Sequence, residues 1–183
     1  SAVSLAIVAL IGPHELVGLP TSARALIAFA AADLGKYALH RLAHERAGWW
    51  RFHAEHHAPR RMYALNATRL HPVNLLWNLG LDAAPPALLG LDLRTATLLA
   101  VLRGSVSILQ HANVRLVLGP LSWVFSTPEL HQWHHSSELG EANSNYGSTL
   151  IVWDVLFGTR RWPRDRAVPT TLEGRMGVGD LGE

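Results

Sequence analysis

The amino-acid sequence predicts an all-α fold, a membrane-embedded helical bundle capped by a cytosolic, histidine-rich site for two metal ions. Of the 183 residues, 49% are hydrophobic and only 16% are charged, an apolar composition for a soluble domain of this size. There are eleven histidines and no cysteine, and most of the histidines recur at helical spacing. Several apolar segments approach the length of a bilayer span, although none is a clean run of about twenty residues.

The N-terminal third of the chain predicts apolar helices. Residues 1–11 are apolar but too short to span a bilayer alone, and a turn rich in Gly and Pro follows them. Because the chain starts at Ser1 rather than at methionine, we expect an N-terminally trimmed protein. Residues 22–39 are rich in alanine and leucine and predict a long helix.

Further helices are predicted after the central histidine-rich region. Residues 75–91 are apolar but contain Pro85-Pro86, which predicts a kinked helix or two short helices. Residues 94–111 form a second helical candidate and residues 116–125 a shorter apolar piece. The tail, which is polar and contains Pro and Gly, is predicted to be irregular.

These segments predict one domain, residues 1–183, with apolar membrane helices in 1–35, a histidine core in 36–160 and a polar tail in 161–183. Trp49, Trp50 and Trp133 flank the histidine clusters and are predicted to mark the membrane interface. Basic residues lie between and after the apolar stretches: Lys36, Arg41, Arg46, Arg51, Arg60, Arg61, Arg69, Arg160, Arg161, Arg164 and Arg166. Since basic residues accumulate on the cytoplasmic side of membrane proteins, we expect an integral membrane protein with its metal site facing the cytoplasm.

The histidines form three patterns with the spacing of metal ligands. One H-x-x-x-H motif is followed by two copies of H-x-x-H-H, and residues three and four apart share one face of a helix. The eight histidines are His40, His44, His53, His56, His57, His131, His134 and His135. Three such patterns in one short chain favour metal binding over a solvated histidine surface.

The number of imidazoles predicts two metal ions, because one tetrahedral zinc takes only about four ligands. Glu55 lies between His53 and His56, but at its helical angle it points away from them, so we interpret it as a surface group or as a hydrogen-bond partner of a ligand. An all-imidazole site suits Fe, Zn, Cu or Ni.

The motifs resemble those of the fatty acid hydroxylase/sterol desaturase superfamily of integral-membrane di-iron oxygenases. The order H-x-x-x-H, H-x-x-H-H and a distant H-x-x-H-H is typical of that superfamily. Other strings are similar too: LHP, QHAN, TPELHQWHH, NYG and WDVLFGT. The similarity extends from about residue 32 to residue 160.

The resemblance implies a di-iron centre, which zinc could occupy in a purified sample, with O2 as co-substrate. It also implies an additional ligand between the two H-x-x-H-H motifs, for which His111 is the candidate. His71 is either a ligand or a group that orients one, and Asn113 and Asp154 are interpreted as partners of histidine N–H groups. We interpret His14, alone in a turn, as an interfacial residue and not as a ligand.

The implied function is hydroxylation or desaturation of a C–H bond in a lipid such as a sterol or fatty acyl chain. We expect a lipid substrate, an external electron-transfer protein and a membrane as partners, and no nucleic acid. Two alternatives stay open. A non-catalytic membrane metal-binding or transport protein would place carboxylates at mid-membrane depth, and Asp33 is a candidate. A zinc-dependent hydrolase would need a general base, as in H-E-x-x-H.

Overall fold

The computed structural model describes residues 18–59, 61–114, 116 and 118–162. Within these ranges the chain is all-helical, as the sequence predicts, and its β-structure is an isolated bridge between Phe125 and Leu150. The predictions for His14 and for most of the polar tail lie outside the described residues. The α-helices are α1 (Thr21–Glu45), α2 (Ala47–His57), α3 (Pro72–Leu88), α4 (Leu93–His111), α5 (Pro128–His134), α6 (Leu139–Ala142) and α7 (Val152–Leu156), with 3-10 helices at Ala64–Thr68 and Gly119–Trp123.

Helix α1 is longer than the predicted segment of residues 22–39, and its extra turns carry the first two histidines of the motifs. It continues through His40 and His44 to Glu45. The backbone of Arg46 is extended (φ −132°, ψ 113°), and α2 begins at the next residue. The one-residue break turns α2 back against α1, so the H-x-x-x-H face of one helix meets the H-x-x-H-H face of the next.

Helices α3 and α4 form a hairpin with well-defined ends. Of the two predicted alternatives for the proline pair, the structure forms one helix, because α3 continues through Pro85 and Pro86 in its last turn. Gly90 then adopts φ 62°, a left-handed conformation typical of the residue after a helix. Asp92 caps α4 by accepting a hydrogen bond from Thr95 N at 2.6 Å, as expected for a good N-cap residue.

Helix α1 is central to the packing, since it contacts α2, α3 and α4, while α4 also contacts the first 3-10 helix and α5. Polar side chains outnumber apolar ones among the buried residues that the structure describes, and most of the histidines are among them. Trp133, predicted at an interface, is instead buried (3% exposed), whereas Trp49 is 39% exposed. The buried centre of the molecule is therefore a polar site and not a hydrophobic core.

Large apolar side chains lie on the outside of α3 and α4. Leu76 is 66% exposed, Leu98 is 61% exposed and Val101 is 59% exposed. Extended apolar surfaces of this kind mark contacts with another apolar partner. Among the helices that the structure describes, none combines the length and the hydropathy needed to cross a membrane.

A buried carboxylate ties α1 to the segment that precedes α7. Asp33 is fully buried and accepts hydrogen bonds from Thr149 N (2.9 Å), Leu150 N (3.0 Å) and Trp153 Nε1 (3.0 Å). All of its carboxylate contacts join elements far apart in sequence, so its observed role is structural, which does not favour the transport alternative.

We expect Asp33→Ala to lower the free energy of unfolding by about 3 kcal/mol, because one buried and two part-buried donors lose their acceptor. Urea denaturation measures the change. Glu45→Ala is the control on the same helix: Glu45 makes an exposed ion pair with Arg41, and its loss should cost less than about 1 kcal/mol. Equal effects of the two variants would contradict the structural role of Asp33.

Candidate metal centre

The site consists of nine histidine side chains whose ring nitrogens converge in two groups. Eight come from α1, α2, α4 and α5, and His135 directly follows α5. Within each group the nitrogen atoms lie within 4.8 Å of one another. Eight of the nine residues are buried, and His40 is half-buried with its Nε2 atom shielded from solvent. One group contains His40, His44, His53, His57 and His134, and the other contains His56, His111, His131 and His135. All nine histidines that the sequence singles out as ligands lie in these groups.

Each H-x-x-H-H motif contributes to both groups. In α2, His53 and His57 point into the five-histidine group and His56 into the four-histidine group. The second motif divides the other way, because His134 joins the five-histidine group while His131 and His135 join the other. Two rings from different motifs, His57 and His135, stack with centroids 4.2 Å apart, so the two groups are contiguous.

Hydrogen bonds at Nδ1 define which ring nitrogen faces the centre in six of the nine histidines. His40 Nδ1 lies 2.8 Å from Tyr146 O, and His134 Nδ1 lies 2.8 Å from Ser144 O. A carbonyl oxygen only accepts, so Nδ1 carries the hydrogen and Nε2 of the neutral ring presents a lone pair. Similar Nδ1 contacts join His111 to Ser107 O (2.7 Å), His56 to Arg69 O (3.3 Å), His53 to Asn74 Oδ1 (2.8 Å) and His44 to Asn143 Oδ1 (3.3 Å).

The spacing of the Nε2 atoms fits metal coordination. His57 Nε2 lies 3.1 Å from His53 Nε2 and 3.2 Å from His134 Nε2. In the other group, His111 Nε2 is 3.0 Å from the Nε2 atoms of both His56 and His131. Nitrogens bound at about 2.1 Å to one metal ion are themselves about 3 Å apart. Converging lone pairs at this distance repel one another unless a cation lies between them, so the donor set fits a metal ion in each group.

The site keeps its imidazoles in the neutral form that binds metals. Burial lowers the pKa of His40 and of His111 to about 4. Burial also lowers the pKa of the other seven rings well below 6.5, and the neighbouring histidines add to the effect. Protons therefore compete weakly for the ligand nitrogens at neutral pH.

The loop between α6 and α7 supplies acceptors to the five-histidine group. Asp154 holds this loop by accepting hydrogen bonds from Tyr146 N (2.8 Å) and Gly147 N (2.7 Å). A Cβ atom at Gly147 would overlap Leu150 O and approach Asp154 Oδ2 at 2.9 Å, so glycine lets the loop pass close to α7. The Tyr146 ring packs edge-on against His40, with centroids 5.7 Å apart.

Three further residues singled out in the sequence lie outside both groups. His71 caps α3, where its Nδ1 accepts a hydrogen bond from Val73 N at 3.1 Å. Asn113 is exposed just after α4. Asp154 contacts the histidines only indirectly. It accepts a hydrogen bond from the Tyr146 amide N–H, and the Tyr146 carbonyl accepts a hydrogen bond from His40.

Sequence reasoning missed two side chains that orient ligands. Asn74 is buried on α3 and contacts His53, and Asn143 follows α6 and contacts His44. Asn74 carries a signal in hindsight, since it is a polar residue at the start of an apolar helix. No spacing rule relates Asn143 to the histidine motifs, because it approaches them only in the folded chain.

A cavity of about 90 Å³ touches both histidine groups. Its wall includes His40 and His53 from one group and three rings of the other, His56, His111 and His131. The remaining lining is largely polar and comprises Lys36, Asn74, Asn78, Ser107, Gln110 and Ser148 together with Ala67, Leu70, Trp77 and Gly147. A small molecule or a short segment of a larger one can thus reach both groups.

Comparison with protein families finds that the model described as fatty acid hydroxylase matches residues 25–159. The chain is 38% identical over 165 residues to the ornithine lipid hydroxylase OlsE of Rhizobium tropici, covering 90% of this chain and 50% of that protein. It is 30% identical over 146 residues to the alkylglycerol monooxygenase of Homo sapiens, covering 77% of this chain and 31% of that protein.

A plant protein is also similar. The very-long-chain aldehyde decarbonylase GL1-8 of Oryza sativa subsp. indica is 30% identical over 149 residues, covering 80% of this chain and 54% of that protein. The chain thus spans about half the length, or less, of these curated relatives. No solved structure matches it.

We expect His57→Ala to lose most of the metal bound by the five-histidine group, since His57 Nε2 lies within 3.2 Å of three other ring nitrogens. Inductively coupled plasma mass spectrometry of the purified protein measures the metal content. His71→Ala is the matched control, because His71 caps a helix outside both groups, and its metal content should stay at the wild-type level. Full metal content in His57→Ala would contradict the site.

We expect the chelator-treated protein to lose stability as the pH falls from 6.5 towards 4. The unfolded chain binds protons on histidine near pH 6.5, whereas the folded rings of His40 and His111 do so only near 4. The stabilisation is therefore complete above pH 6.5, and each such ring removes about 1.4 kcal/mol per pH unit below it. Urea denaturation at pH 7.5, 6 and 5 measures this, and equal stability at the three values would contradict it.

Proposed function

The chain belongs to the fatty acid hydroxylase family, and from that premise we propose that it is a lipid hydroxylase or monooxygenase. The observation that carries the proposal is the convergence of nine imidazoles into two adjoining groups beside one cavity. A protein that only stores or moves metal does not need a cavity that touches both groups. Hydroxylation is the reaction proposed, with desaturation as the other outcome of the same C–H bond cleavage.

We propose iron as the metal, with one ion in each group. The donor set is all imidazole, which suits iron among the transition metals, and its neutral ligands leave the bound ions positively charged. Iron bound there would supply the redox chemistry that activates O2 and cleaves an unactivated C–H bond, which no protein side chain can do. The reaction balances as RH + O2 + 2 electrons + 2 protons giving ROH + H2O.

The protein residues orient the ligands and admit the substrate. Backbone carbonyls accept hydrogen bonds from the Nδ1 atoms of His40, His56, His111 and His134 and so direct their Nε2 atoms inward, which fixes the orientation and the tautomer of these rings. Asn74 does the same for His53 and also lines the cavity. The reacting carbon and O2 would meet in this cavity, beside the histidine rings that line it.

We propose that the substrate is a lipid and that the protein is integral to a membrane with its metal site at the cytoplasmic surface. The support is the exposed apolar surface of α3 and α4, which includes Leu76, Leu79, Leu98 and Val101. These two helices also line the cavity through Asn78 and Ser107. A lipid can therefore pass from an apolar surface to the histidines along the same pair of helices.

The electrons come from a separate protein in this proposal. The chain has no cysteine and no Gly-rich dinucleotide fingerprint, so this stretch holds neither an iron–sulfur cluster nor a nicotinamide cofactor of its own. Arg46, Arg51 and Arg69 are exposed near the histidine motifs. Their positive charges would suit an acidic electron carrier.

The test is an oxygen-18 labelling experiment on the iron-loaded protein with a membrane-lipid extract and a chemical reductant. We expect O2 uptake and one oxygen-18 atom in a lipid product seen by mass spectrometry, or loss of two hydrogens if desaturation occurs. The zinc-loaded protein and His57→Ala are the controls, and both should be inactive.

Two outcomes would overturn the proposal. Stable iron binding without any O2-dependent change in lipid would favour a metal-binding or transport protein. Release of a fatty acid or an alcohol without O2 consumption would favour a hydrolase.

A further inference from the structure

Three charged side chains form a network between α1, α3 and α4. Lys36 Nζ lies 2.8 Å from Asp82 Oδ2, and Arg103 Nε lies 2.6 Å from Asp82 Oδ1. The Arg103 side chain is 1% exposed, that of Lys36 is 12% exposed and that of Asp82 is 21% exposed. Two cations thus share one carboxylate in a largely buried position, which leaves one positive charge in excess.

The guanidinium of Arg103 is only partly satisfied by the protein. Its Nε is paired with Asp82, but both Nη1 and Nη2 are buried with no hydrogen-bond partner among the described residues. The Phe29 ring, 5.4 Å from the guanidinium carbon, is the aromatic contact on this group. A buried cation with free donors is costly unless an anion pairs with it, and the two Nη groups match the paired oxygens of a carboxylate or phosphate.

The network reaches the cavity that touches the histidines through one of its members, since Asp82 and Arg103 are not among the lining residues. Lys36 itself lines that cavity. Asn78 and Ser107 line it too, and they stand one helical turn from Asp82 and Arg103 on α3 and α4. Along α4, Arg103 and His111 are about 12 Å apart, and along α1, Lys36 and the ligand His40 are about 6 Å apart.

A purely structural role accounts for only part of this arrangement. The pair of Lys36 and Asp82 alone would join α1 to α3 and would be neutral. Arg103 adds the excess charge and the two free donors, which weaken a structural tie rather than strengthen it. Both features are explained if the network receives an anion.

We propose that the Lys36–Asp82–Arg103 network binds the oxyanion of the lipid substrate, a carboxylate or a phosphate, through the Nη groups of Arg103. This inference rests on the proposed function and names its substrate class, an anionic lipid. Lys36 and Arg103 stand about one and two helical turns from the ligands His40 and His111 on α1 and α4, so the oxidised carbon is nearer the polar end of the lipid than the far end of a long acyl chain.

Binding of three probes to the zinc-loaded protein in a nonionic detergent tests the proposal. The probes are dodecanoate, dodecyl phosphate and the neutral methyl dodecanoate, and isothermal titration calorimetry measures each dissociation constant. We expect at least one anionic probe to bind about 10-fold or more tightly than the methyl ester, the usual effect of charge-assisted hydrogen bonds. Preference for dodecanoate assigns a carboxylate, and preference for dodecyl phosphate assigns a phosphate.

Arg103→Met should remove this preference and leave the metal content unchanged, because it leaves the neutral pair of Lys36 and Asp82. Arg94→Met is the matched control, since Arg94 is exposed at the start of the same helix, and it should keep the preference. Should Arg103→Met not fold, Arg103→Lys keeps the charge beside Asp82 but lacks the planar pair of donors, and it should lose the preference as well.

The proposal is overturned if the wild-type protein binds the ester as tightly as both anions, or if the folded Arg103 variants keep the preference. Since binding is measured with zinc and without turnover, the result can be interpreted even if the protein does not consume O2. In an active preparation, the position of the new hydroxyl relative to the oxyanion gives a second measurement, and oxidation near the terminal methyl would also contradict the proposal.

Discussion

The mutual approach of buried, neutral imidazoles governs the organisation of this molecule. Nε2 lone pairs about 3 Å apart in a low-dielectric interior repel one another, and a cation between them turns that repulsion into attraction. His57 and His111 show the effect most clearly, since each has ring nitrogens of other histidines within 3.2 Å. Helices α1, α2, α4 and α5 are arranged so that their histidine rings meet at the two metal-binding groups.

Such a site needs a rigid outer layer, and carboxylates remote from the metal groups provide it. Asp154 holds the loop whose carbonyls orient His40 and His134. Asp33 fastens the segment before α7 to α1, the helix that carries His40 and His44. Neither carboxylate touches a ligand nitrogen. These two carboxylates therefore stabilise the bundle and also hold the segments that orient the imidazole rings.

The ligands were predictable from sequence to a larger extent than the groups that orient them. Helical spacing brings His40 and His44 onto one face without any knowledge of the fold. In contrast, the roles of Asn143 and His71 depend on their tertiary positions: Asn143 contacts a ligand ring, whereas His71 caps a helix. Hydrogen bonds between residues about a hundred positions apart leave no periodic pattern along the chain, and therefore no sequence rule reveals them.

The sequence by itself determined an all-helical chain and, by spacing, eight of the nine candidate ligands, because local periodicity decides which residues share a helix face. The ninth, His111, was implied by the resemblance of the motifs to a known family. Only the tertiary structure decided how the ligands divide. His56 sits between His53 and His57 in the chain but joins the other group, since its ring leaves α2 at a different angle and meets α4 and α5. Which lone pairs share a cation depends on how the helices cross, and helix crossing is set by packing and not by spacing along the chain.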